Sequence, residues 1–134
     1  MELINPEGWA RARGYSNVAV AEGRQVFIAG QIGWDPRAQT FAPEDYVAEV
    51  RQTFVNLVEA VAAAGGKPEH IAAMNWYITG AADYLANARE IGRAYKEVIG
   101  AHLPTMTMVV VTALLMEGAR VEINATAVIP ITEG

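Results

Sequence analysis

Apolar and polar positions alternate most cleanly near the end of the chain. Over residues 120–128, Val121, Ile123, Ala125 and Ala127 point one way, and Glu122, Asn124, Thr126 and Val128 the other. Residues 105–113 form a second strand, opening after Pro104 with alternating Thr and Met and running into three valines. Glu117 and Gly118 supply turn chemistry between the two, so the pattern predicts a β-hairpin. One face needs helices to cover it. The other carries Glu122 and Asn124, with Met106 and Met108 if the register is favourable, and is suited to a second subunit or a pocket.

Upstream, residues 1–14 read as irregular, with turn signals at Asn5-Pro6 and Glu7-Gly8. Residues 15–21 and 25–28 are short strands turned by Glu22-Gly23, a second predicted hairpin, with Gly30 marking a bulge or a close backbone approach. Helical spacing takes over after Pro43. Val47, Val50, Phe54, Leu57, Val58 and Val61 make one apolar stripe, ended by Gly65-Gly66. Residues 71–79 form the next strand. A second helix starts near Asp83, with Tyr84, Leu85, Ala88, Ile91, Gly92, Tyr95, Val98 and Ile99 on its apolar face and Gly100 as its stop. The predicted order is β-β-α-β-α-β-β, a mixed sheet with two helices on one face, in a single domain over residues 1–134.

Composition narrows the chemistry. There is no cysteine, which removes disulfides, thiolate catalysis and cysteine metal sites. No signal segment or membrane-length apolar run is visible, and the reading is a cytoplasmic protein. A net charge of −5 argues against nucleic acid as a partner, and 52% hydrophobic residues argue for surface hidden in an oligomer. No phosphate loop or dinucleotide fingerprint is present, so no cofactor is expected. His70 and His102 lack partners at metal-ligand spacing and read as turn and loop residues, so no metal is expected.

Three polar clusters remain. Tyr15 stands beside Ser16 and Asn17 at a strand start, as a boundary tyrosine or a pocket residue. Gly30-Gln31 offers a backbone N–H and an amide to a carboxylate or carbonyl, or is a bulge with a surface glutamine. Glu122 and Asn124 share one face of the last strand. A carboxylate there holds water or moves a proton, or else pairs across a subunit boundary with Arg120 or Arg13.

The element order, the segments YSNVAVAEGRQVFIAGQIG and LPTMTMVVVTALLMEGARVEINATAVIP, and the long helix between them resemble the Rid family, also labelled YjgF or endoribonuclease L-PSP. The resemblance covers nearly the whole chain. It implies a chorismate-mutase-like α+β fold and homotrimers with a closed central barrel and pockets between subunits. It also implies hydrolysis of small enamines and imines to 2-keto acids and ammonia. Under it Tyr15 is the pocket tyrosine. Ala29-Gly30-Gln31 stands for the family's Ser-Gly-Gln, and Glu122 is the preceding, structurally placed glutamate. Two positions depart. Met106 replaces the carboxylate-binding arginine, with Met108 at a position often held by cysteine, and Asn124 replaces the water-positioning acid. Methionine cannot make the bidentate contact of a guanidinium, and asparagine orients water without taking its proton. The expectation is therefore a divergent deaminase for an unusual enamine, imine or carbonyl metabolite. Asn124 and Gln31 would be catalytic, and Tyr15, Gly30, Met106, Met108 and Glu122 would bind substrate. The alternative is a non-catalytic binding or regulatory trimer.

Overall fold

The computed structural model describes residues 1–131, and its core forms where an apolar helical stripe meets the alternating face of the last strand. The elements run β1 (Glu2–Ile4), β2 (Val18–Val20), β3 (Arg24–Gln31), α1 (Tyr46–Ala63), a 3-10 turn (Pro68–His70) and β4 (Ile71–Ile78). Then come α2 (Ala81–Ala86), α3 (Ala88–Val98), β5 (Thr105–Val110) and β6 (Val121–Ile129). Val50, Phe54, Leu57 and Val61 of α1 are wholly buried, as are Val121, Ile123 and Ala127 of β6. Three edge-to-face ring contacts knit the layers, Phe54 with Trp76 at 5.5 Å, Phe54 with Tyr95 at 5.4 Å and Trp76 with Tyr84 at 6.0 Å. No helix among the described residues is long and apolar enough to cross a membrane.

Several expectations need correction. The order is β-β-β-α-β-α-α-β-β, not β-β-α-β-α-β-β. The N-terminal segment is not wholly irregular. β1 pairs antiparallel with β2, and Asn5 Oδ1 accepts the Asn17 N–H and side-chain amide, each at 3.0 Å. β2 therefore finds its partner upstream, and β2 and β3 do not form a hairpin. The second helix is two. Asn87 leaves helical geometry at φ −114°, ψ 11°, and its side chain donates to the Asp83 carbonyl at 2.8 Å. The break turns Leu85 out, leaving it 71% exposed rather than on the apolar face. The long helix starts at Tyr46, capped by Asp45, rather than at Pro43.

The largest correction concerns the last two strands. The main sheet has the order β3-β6-β4-β5, so β4 separates the predicted hairpin pair. β5 lies parallel to β4, reached through α2 and α3, and β6 lies antiparallel to both β3 and β4. Residues 111–120 are a connection over β4 rather than a tight turn. Register then sets the faces. Met74 and Trp76, on the helix side, are opposite Met106 and Met108, while Asn75 and Tyr77 are opposite Asn124 and Glu122. Met106 and Met108 thus pack toward the core, on the opposite face from Glu122 and Asn124.

Candidate functional site

A single chain carries the expected site residues as two groups, one on each face of the sheet. The first lies on the open face, where β3 meets β6. The β3–β6 register slips between Ile28 and Gln31, a bulge that places Ala29 and Gly30 out of the ladder. Gly30 then comes against Glu122. A Cβ at Gly30 would stand 2.9 Å from Glu122 Cδ and 3.0 Å from Cγ, so only glycine leaves the carboxylate its place. A cleft of about 370 Å³ opens there, between Gly30, Ile32, Trp34, Met116 and Glu122. One β-step along, Asn124 faces Asn75, and its Oδ1 is buried without a hydrogen-bond partner. Buried acceptors are rarely left so, and since this one is closed to water, a donor from a ligand or water reaches it only when the amide turns toward the open face. Gln31 is differently engaged. Its Nε2 donates to the Ala29 carbonyl at 3.0 Å, folding the amide back on its own strand.

The second group lies at the β5 edge. Ser16 bridges to Thr105, its N–H donating to the Pro104 carbonyl at 3.0 Å and its hydroxyl to the Leu103 carbonyl at 2.6 Å. That bridge ties the segment carrying Arg13 and Tyr15 to the start of β5, with Tyr15 39% exposed. Met106 is part of the wall of a pocket on the helix side, with Arg13, Trp76, Tyr84 and Tyr95. Burial raises both tyrosine hydroxyls above the ordinary phenol pKa, and Tyr95 donates to the His102 carbonyl at 2.6 Å. Trp34 and Trp76 therefore serve different cavities.

The histidines are occupied by the backbone. His70 Nδ1 accepts the Lys67 N–H at 3.0 Å, and His102 Nε2 is 2.7 Å from the Ile71 carbonyl, which fixes it as the protonated nitrogen. Among the described residues no three His, Asp or Glu side chains gather as metal ligands would. Arg120 is not paired with Glu122. It belongs to Glu49, a wholly buried carboxylate on α1 that accepts the Arg120 backbone N–H at 2.6 Å and its Nε at 3.0 Å. The sequence reading did not single out Glu49, although it lies three residues after Tyr46 and four before Thr53, within the buried face of the helix.

Residues 8–129 match the family model described as endoribonuclease L-PSP. A 2-iminobutanoate/2-iminopropanoate deaminase from Capra hircus is 31% identical over 110 residues, covering 82% of this chain and 77% of the relative. Protein DfrA of Myxococcus xanthus is 31% identical over 111 residues, covering 83% and 81%. Among solved structures, a Rid-family protein of unknown function from Yersinia pestis superposes with TM-score 0.83 at 27% identity, covering 96% of this chain and 98% of that one. E. coli TdcF with bound serine superposes with TM-score 0.67 at 29% identity, again covering 96% and 98%. With nine-tenths of its length under one family model and its fold shared with solved members, the chain belongs to the Rid family, the family of the endoribonuclease L-PSP description.

Proposed function

We propose that this protein is an enamine/imine deaminase whose site is completed between copies of the chain in a homotrimer. Water adds to the carbon of a C=N group, the C–N bond breaks, and a C=O compound and ammonia leave. The observation that carries the reading is membership of a family whose relatives named deaminases match four-fifths of this chain. The split site supports the assembly. Polar groups and pocket residues lie on opposite faces of one sheet, so a second copy is needed to bring them together around one substrate. The open face also has apolar surface to bury, with Phe27 75% and Val109 41% exposed.

In this reading the Gly30 N–H, at the bulge, holds a substrate oxygen, with Gln31 alongside if its amide swings away from Ala29. Asn124 Oδ1, with its amide turned to the open face, accepts from the attacking water and orients it. Asparagine cannot take the proton, so Glu122, the carboxylate against Gly30, receives it and returns it to the leaving nitrogen. Tyr15 closes the neighbouring chain's side of the site. Met106 offers no charge to a small substrate's carboxylate, so the smallest 2-imino acids should be poor substrates. That same substitution favours a second reading, a trimer that binds without turning over.

The test generates imines in place with an amino-acid oxidase and follows decay of their absorbance. Acceleration that falls by roughly a hundredfold or more in Glu122→Gln supports the deaminase, a loss in the range expected for a general acid–base group. No acceleration of any imine, from alanine-derived to aryl, leaves the binding reading.

A further inference from the structure

The pocket behind Met106 has a volume of about 490 Å³ and is mostly apolar. Tyr84 and Met106 are its half-buried walls, and the edges of Trp76 and Tyr95, 3% and 7% exposed, form its floor over the wholly buried Phe54. Two cations, Arg13 and Lys96, are exposed among the residues around it, and no carboxylate is among them. Gly92 lies on the wall of this space, exposed within α3, and a Cβ there would meet nothing within 4 Å, so the position has room for a larger side chain that would fill the pocket. Trp76 is 3% exposed, with its indole Nε1 buried and without an acceptor, and belongs to the floor.

We propose that this pocket takes a carboxylate with an aromatic side chain, the 2-imino acid or 2-keto acid of an aryl amino acid. The ring lies against Tyr84 and Met106, over the edges of Trp76 and Tyr95, and the carboxylate lies toward Arg13 and Lys96. Loss of a clamp arginine at position 106 is then half of a change whose other half is this room for a ring. A guanidinium there would put a charge in the wall that a ring must contact; methionine makes the wall apolar and leaves recognition of the anion to the mouth. The imino-acid part rests on the deaminase reading; the binding of an aryl carboxylate does not.

Calorimetric titration of the whole protein with phenylpyruvate, pyruvate and 3-phenylpropanamide separates the parts. Phenylpyruvate should bind at least about tenfold tighter than pyruvate, because only it buries a ring. Gly92→Phe should weaken phenylpyruvate at least about tenfold by filling the mouth, while Gly92→Ala, which shares any effect on the helix, should not. Joint Arg13→Gln and Lys96→Gln should weaken the acid about three- to tenfold, the modest size expected of exposed charges, and leave the amide unchanged. No measurable binding of phenylpyruvate, equal affinity for pyruvate, an affinity for the amide matching the acid, or indifference to Gly92→Phe each overturns the proposal. Tight phenylpyruvate binding without hydrolysis of the phenylalanine imine removes the deaminase reading and leaves the aryl site standing.

Discussion

Glu49 has no exposed surface, and what permits its burial is Arg120, which answers it with both a backbone N–H and a guanidinium nitrogen. The Arg120 guanidinium also lies over the Tyr46 ring, 5.2 Å from its centroid. A buried carboxylate is tolerated when its oxygens are hydrogen-bonded, and losing one partner costs more than the pair itself contributes. Arg120→Leu should destabilise the protein by about 2 kcal/mol, below the range for fully buried pairs because Arg120 is partly exposed and its N–H remains. Adding Glu49→Gln should recover part of that loss, as urea unfolding would report. Tyr46 gives a pH signature. Burial, then the nearby Glu49 charge, pushes its hydroxyl up to about 12, and burial raises Tyr95 as well. The folded state therefore holds these protons after the unfolded chain has begun to lose them. Their contribution to stability should be constant below the ordinary phenol pKa of about 10 and fall as pH rises from there toward about 12. Tyr46→Phe should make that fall shallower. At neutral pH it should cost little, since the buried hydroxyl has no partner.

At the scale of elements, α1 was the most legible part of the chain because its spacing repeats over several turns. Val50, Phe54, Leu57 and Val61 had one face to share, and that face is buried. Its cap was less visible. Asp45 Oδ1 accepts the Ala48 N–H at 2.8 Å, and Asp45→Ala should cost about 1 kcal/mol of stability, measured by thermal or urea unfolding. Strand faces were legible too, since alternation along β6 separates Ile123 from Asn124 whatever its neighbours are. Strand neighbours were not. Alternation says which way a side chain points and nothing about which strand lies alongside, and adjacency in sequence suggested a hairpin where β4 intervenes. The site suffered from this. A hairpin register would put Met106 with Asn124, and the register through β4 places them on opposite faces. Glu49 is illegible in sequence because one acid in an apolar stripe gives no hint of its partner 71 positions away.

For the whole molecule, the open face of the sheet is the surface on which the proposed assembly rests. Tyr77, Glu122, Asn124 and Thr126 are only half-buried there, and Phe27 is far more exposed than a ring on a monomer's sheet is expected to be. If a barrel of three sheets buries this face, sedimentation equilibrium should give three times 14.4 kDa. Phe27→Asp should then shift the mass toward one chain while circular dichroism keeps the fold, because Phe27 contributes nothing to the monomer core. A trimer unaffected by Phe27→Asp would place the interface elsewhere.

The central place of β6 has a consequence for synthesis. It is the last of the six strands among the described residues to leave the ribosome, yet it lies between β3 and β4. Until residues 121–129 emerge, β3 and β4 each offer an unpaired inner edge, and α1 has only part of the surface it must cover. The sheet therefore cannot close progressively as the chain lengthens. It closes in one late step, when β6 docks into the gap and unites the first and second halves of the chain. During elongation the apolar residues of α1 and β4 that pack against β6 lack that cover, the kind of exposure that favours aggregation.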